Sequence, residues 1–201
     1  FDMENQDFVS FLLDQLKAFE EKFKCYLVAE LEKMQGVYSI TSKNMLDWLS
    51  AGEDCKILDF NYTIPRRSTS AFHRSDYPVV NIHGSIQDHP IIGIDQRGIL
   101  ATQNLFQFTK TFRIMARANG MNSGENLPKP IDSVVFFGHS LNVADYSYFQ
   151  SLFDYYDIYN QPIKLIFGYA AYGDLSEDEV AEQQFHKIAQ LFQTYGETLS
   201  N

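Results

Sequence analysis

Four apolar runs in this chain end in residues able to bind a polar ligand or to react. Val134–Phe137 leads into Gly138, His139 and Ser140, and Val79–Ile82 leads into His83, Gly84 and Ser85. The stretch Ile57-Leu58-Asp59-Phe60 delivers Asn61, Tyr62 and Thr63, and Ile91–Ile94 ends in Asp95. An imidazole with an unperturbed pKa of about 6.5 can serve as a general base near neutrality, which makes His83 a candidate catalytic residue. The amide of Asn61 can orient a water or a sugar hydroxyl without becoming charged. Gly138 lets backbone approach a ribose or phosphate closely, and Ser140 with the helix start beyond it offers donors to a phosphate. Each residue also has a plain structural use. Asn61 suits a turn, a histidine before glycine suits a satisfied imidazole, and Asp95 suits a turn or a helix cap.

These residues gain meaning from the elements that must carry them. The runs 56–60, 79–82, 91–94, 134–137 and 164–167 read as short strands and alternate with helical periodicity, the pattern of a mostly parallel α/β sheet flanked by helices. In such sheets ligands lie beyond the carboxyl ends of the strands, where all four polar stations would then stand. Phe8, Phe11, Leu12, Leu16, Phe19, Phe23, Tyr26, Leu27, Leu31 and Met34 recur three and four apart, so the spacing predicts a long amphipathic helix ended by Gly36, its aromatic stripe packed in a core. Thr41 is placed to cap a second helix stopped by Gly52, and Gln103–Asn119 reads as a third, with Gly120 as its terminator. Asn142 is placed to cap a helix that has Asp145 in its first turn and Tyr146, Phe149 and Phe153 on one face. Ser176 with Glu179 forms a capping box for a last helix running to Gly196. Ile64–Tyr77, holding Arg66, Arg67 and His73, shows no period and reads as a loop, as does Gly120–Pro130.

With 201 residues, 45% of them apolar, the chain reads as one domain, 1–52 helical and 53–201 carrying the site. A formal charge of −10 argues against nucleic acid as a partner, because phosphate-backbone affinity rests on basic side chains. Cys25 and Cys55 make neither a disulfide framework nor a four-cysteine zinc site, and the histidines show no metal spacing, so no metal is expected. No run approaches the ~20 apolar residues of a membrane span and no signal peptide opens the chain, so a cytoplasmic location is expected.

The order Asn-Tyr-Thr after Ile-Leu-Asp-Phe, then Asn-Ile-His-Gly-Ser, Ile-Ile-Gly-Ile-Asp and Phe-Phe-Gly-His-Ser-Leu-Asn-Val-Ala-Asp resembles bacteriophage abortive infection proteins of the AbiH type over about Lys56–Tyr156. More distantly it is similar to the sirtuins, which have a catalytic asparagine, a catalytic histidine before glycine, and a Gly-x-Ser-Leu-x-Val nucleotide contact. That resemblance implies a Rossmann-like fold, NAD as ligand or substrate, and catalytic roles for Asn61 and His83. It places Gly138, Ser140 and Leu141 against the nucleotide, with Gly84, Ser85, His139 and Asp145 as further contacts. It also implies a phage-derived or host protein as trigger and leaves an oligomer open. Two activities follow from it, hydrolysis of NAD or non-catalytic sensing of NAD or ADP-ribose. A structural or interaction domain with no ligand is the third alternative.

The chain departs from both patterns. It opens at Phe1 in a helical pattern, without the strand and Gly-Asn-Gly-Phe-Asp turn usual in the AbiH type, which leaves two alternatives: a fragment whose nucleotide site an upstream strand and Gly-x-Gly turn would complete, or a degenerate, non-catalytic domain. Tyr62 and Thr63 replace the Ile-Asp that follows the sirtuin asparagine, and the sirtuin zinc module is absent from this sequence, which disfavours protein deacylation.

Overall fold

The computed structural model describes residues 5–34, 36–63, 79–117, 127–142, 145–171 and 173–199. The chain is mixed α/β and divides into two compact units, Phe1–Leu127 and Pro128–Asn201.

In the first unit the amphipathic run becomes α1, Gln6–Lys33, opened by Asn5, whose side chain accepts the backbone N–H groups of Asp7 and Phe8. A left-handed Gly36 starts α2, Val37–Ser50, so the second helix begins four residues before Thr41, which lies inside it rather than at its cap. Strands β1, Ile57–Asp59, and β2, Val79–Asn81, pair in parallel, Ile57 opposite Val79 and Asp59 opposite Asn81. Residues 64–78 of the connection between them, including Arg66, Arg67 and His73, lie outside the described residues.

The run Ile91–Ile94 makes a single parallel bridge, Ile94 to Thr109, instead of a strand. A Cβ on Gly93 would stand 2.7 Å from the Phe108 carbonyl oxygen, so the close backbone approach requires glycine there. This bridge also divides the helix expected over Gln103–Asn119. Asn104–Phe108 is a 3₁₀ turn, Thr109 is extended at φ −72° and ψ 144°, and α3 runs Lys110–Arg117. The expected terminator Gly120 lies outside the described residues.

α1 buries Val9 and Glu20. Its aromatic stripe is mostly surface, with Phe11 55%, Phe19 55% and Tyr26 58% exposed, instead of the packed face its period suggests. The helix is held by polar bonds. The Glu20 carboxylate, 1% exposed, receives both terminal nitrogens of Arg113 from α3, at 2.5 and 2.8 Å, and the Ile92 N–H at 2.6 Å. Glu21 pairs with His89, and Lys24 Nζ donates to the Asp88 carbonyl. Two adjacent turns of α1 thereby fasten the segment that follows β2.

The second unit is a strand–helix–strand crossover closed by a further helix. β3, Ser133–Phe137, and β4, Lys164–Gly168, pair in parallel over five positions, with α4, Tyr146–Tyr156, between them in sequence. α5 is Glu177–Leu199, and the Ser176–Glu179 capping box forms as expected, though the helix continues past Gly196. Aromatic rings make the core. Phe136 stacks on Phe167 at 4.6 Å, and the buried Phe153 meets Phe192 at 5.7 Å and Tyr195 at 5.2 Å. Among the described residues no helix is long and apolar enough to cross a membrane.

Breaking a buried ion pair from one side leaves a desolvated charge. Glu20→Ala or Arg113→Ala is therefore expected to cost about 3–5 kcal/mol by urea denaturation, and the double replacement Glu20→Met with Arg113→Met considerably less.

Candidate functional site

Two strand edges carry the residues singled out by the sequence, one in each unit. In the first unit Asn61 and His83 both stand two positions beyond the register pair Asp59–Asn81. They therefore leave the same carboxyl edge of β1 and β2. The centre of that edge is Asp59. Its Oδ1 accepts the Asn61 backbone N–H at 2.8 Å and the Asn61 Nδ2 at 3.0 Å, while its Oδ2 accepts the Asn81 Nδ2 at 3.3 Å. Asn81 Nδ2 also donates to the Asn61 carbonyl at 2.9 Å. Behind them the Tyr38 hydroxyl from α2 shares a hydrogen with Thr63 Oγ1 at 2.6 Å. Burial raises the Asp59 carboxyl above its ordinary value of 3.8, and its hydrogen bonds to Asn61 and Asn81 offset part of the rise.

Beside this exposed amide, His83 is 3% exposed, its ring edge-on to Phe60 at 5.5 Å. Gly84 sits at φ +73°, and a Cβ there would come within 2.1 Å of the His89 carbonyl oxygen, so only glycine fits. Ser85 Oγ accepts the N–H groups of Gln87 and Asp88, closing its own turn. The stretch His83-Gly84-Ser85 thus builds the β2 exit, with its imidazole packed inward. Asp95 likewise serves a turn, accepting the Arg97 N–H at 2.7 Å.

In the second unit β3 ends at Gly138, at φ +66°, and a small cleft of about 10 Å³ opens where β3 and β4 finish. It is lined by Gly138, His139 and Leu141 after β3, by Phe167, Gly168 and Tyr169 at the end of β4, and by Gln184 of α5. Gly168 admits the Phe137 ring, since a Cβ there would lie 2.9 Å from its Cδ2. His139 is a lock for the turn. Its Nδ1 accepts the Leu141 N–H at 2.8 Å and its Nε2 lies 3.3 Å from Asp145 Oδ2, which assigns the ring proton to Nε2. The lock holds Leu141 at φ +53°, a left-handed conformation rare for leucine, with its side chain buried. Ser140 remains exposed.

Asp145, not Asn142, is the N-cap of α4, and the Asn142 carbonyl accepts the Asp145 N–H at 3.1 Å. A carboxylate already stands at the positive end of this helix. That charge opposes a phosphate at the helix start, whereas a ribose, the other group expected at Gly138, is neutral.

Asp59, Asn81, Gly168, Tyr169 and Gln184 join the site only in the structure. The signal for Asp59 was a charge inside the apolar run Ile57–Phe60, and for Asn81 a second amide at the matching place in the next run.

The glycines separate two demands. Gly84→Ala is expected to cost on the order of 3 kcal/mol through clash and strain, whereas Gly138→Ala, with nothing within 4 Å of its Cβ, should cost about 1 kcal/mol from φ alone, as read by urea denaturation. Asp59 yields a pH dependence. A carboxyl whose folded pKa is raised contributes stability that is complete below its unfolded value of about 3.8 and lost as pH rises through the folded value. Asp59→Asn does not titrate, so its stability relative to the unmodified chain should rise between pH 4 and pH 7. No protein-family model, curated protein or solved structure matches the chain.

Proposed function

We propose that this chain is an abortive infection protein of the AbiH type, acting in the cytoplasm, that binds NAD or its ADP-ribose portion and hydrolyses NAD. The observation that carries the reading is the carboxyl edge of the parallel pair β3–β4, where a small cleft of about 10 Å³, room for about one water, marks the opening of the edge and encloses no nucleotide. That cleft is lined by Gly138, His139 and Leu141 of the stretch in the resemblance, at the place where parallel strands offer ligands their site. The crossover β3–α4–β4 is the building block of Rossmann-like sheets, which further supports this class. The defence role rests on the resemblance alone.

In this reading the ribose meets the Gly138 backbone and the exposed Ser140 hydroxyl. Hydrolysis breaks the bond from ribose C1′ to the nicotinamide nitrogen, and nicotinamide departs with the bond pair. Water adds to C1′ and releases one proton, giving ADP-ribose. The roles of orienting water or a ribose hydroxyl and of receiving the proton come to Asn61 and His83 from the resemblance alone, both residues standing at the β1–β2 edge of the first unit.

One observation favours a second reading, a sensor that binds the nucleotide without turnover. His83 is buried against Phe60, so a base role requires the β2 exit to open. The same protein then acts through a partner protein once the nucleotide is bound.

Nicotinamide release from NAD separates the two. Hydrolysis is expected to fall at least ~100-fold in Asn61→Ala and in His83→Ala with NAD affinity retained. Binding measured by calorimetry without any nicotinamide release would establish the sensor, and absence of binding would refute both.

A further inference from the structure

Asn61 presents an amide whose two ends differ: Oδ1 accepts and Nδ2 donates. For the reaction proposed above, which end faces the ligand decides whether Asn61 receives a hydrogen from water or ribose, or gives one. A carboxylate can only accept. With Asp59 Oδ1 taking Nδ2–H at 3.0 Å, the amide oxygen is turned away from Asp59 and becomes the acceptor at the exposed edge. Asp59 Oδ1 also takes the Asn61 backbone N–H, so side chain and main chain of Asn61 are fixed to one atom. Asn81 completes the clamp, reaching Asp59 Oδ2 with one hydrogen and the Asn61 carbonyl with the other.

We infer that Asp59 is a positioning residue, which acts through Asn61 by holding its amide with Oδ1 outward. The inference rests on the hydrolase reading for its chemical purpose, while the hold itself is a property of the β1–β2 edge. The ionised form of Asp59 is the stronger acceptor, so the hold tightens as the carboxyl loses its proton. The groups facing it are the amides of Asn61 and Asn81 and, from α2, the phenol of Tyr38.

The test uses the whole chain. Nuclear magnetic resonance of the Asn61 side-chain amide from pH 7 to pH 3 should show its two protons shifting with the same midpoint as the Asp59 carboxyl. In Asp59→Ala, they should lie near free-amide positions at every pH. Asp59→Asn, which keeps an acceptor for Nδ2, should hold the amide in part without titration. An Asn61 amide that ignores Asp59 titration overturns the inference, and this arm needs no activity. If Asp59→Ala fails to fold, Asp59→Asn and the unmodified chain decide it.

The kinetic arm uses nicotinamide release. Asp59→Ala should lower kcat with KM nearly unchanged, Asp59→Asn should recover part of it, and Asp59→Ala added to Asn61→Ala should cost less than about twofold more. Independent, multiplying losses would overturn the positioning role. An unmodified chain that releases no nicotinamide refutes the hydrolase reading instead, and the resonance arm then decides whether Asp59 holds Asn61.

Discussion

A single buried carboxylate organises the first unit. Glu20 lies in the middle of α1, yet its oxygens bind Arg113 of α3 and the backbone of Ile92, which are far apart in sequence. Desolvating Glu20 and Arg113 is costly, and it is offset only because the guanidinium fork and a backbone N–H meet the carboxylate together. The consequence reaches the candidate site. The segment fixed by Glu20, Glu21 and Lys24 is the one whose Ile91 N–H returns to the His83 carbonyl and whose His89 carbonyl crowds Gly84. The β2 exit is thus shaped by α1 through polar bonds, while the aromatic stripe of that helix stays largely at the surface.

The two strand edges use different devices for the same task of fixing a polar turn. At the β1–β2 edge a desolvated aspartate gathers amide donors, so an exposed asparagine acquires a defined orientation. At the β3 exit a histidine bridges a backbone N–H and a helix-capping aspartate, stabilising a left-handed leucine. In that second device the imidazole has both nitrogens engaged, which makes His139 a builder of the β3 exit. Asp145 has the same standing, since its charge faces His139 at the start of α4. The first edge thus presents an oriented asparagine amide, and the second a small cleft flanked by Gly138 and Gly168.

Much of this was legible in the residues. β1, β2, β3 and β4 fall within a residue or two of the apolar runs, because short runs bounded by Gly, Asn and His have few other solutions. Tyr146, Phe149 and Phe153 bury the face their spacing defines. What failed depended on distant partners. The run Ile91–Ile94 looks like a strand, but its neighbour is the backbone at Phe108–Lys110, which leaves one bridge and splits the following helix at Thr109. Periodicity in α1 marks the apolar residues and says nothing of Glu20, whose burial follows from Arg113 ninety-three positions later. Asp59 was visible as a residue and not as a clamp, because its donors come from the next turn and the next strand.

The central claim is that the carboxyl ends of β3 and β4 receive the ribose of a nucleotide. Its most direct test is to add ADP-ribose to the isotopically labelled chain and follow backbone amide resonances. Saturable shifts are expected at Gly138, Ser140, Gly168 and Tyr169, and should be lost in Gly138→Val. A titration that leaves those amides unmoved, or moves them equally in Gly138→Val, would refute it.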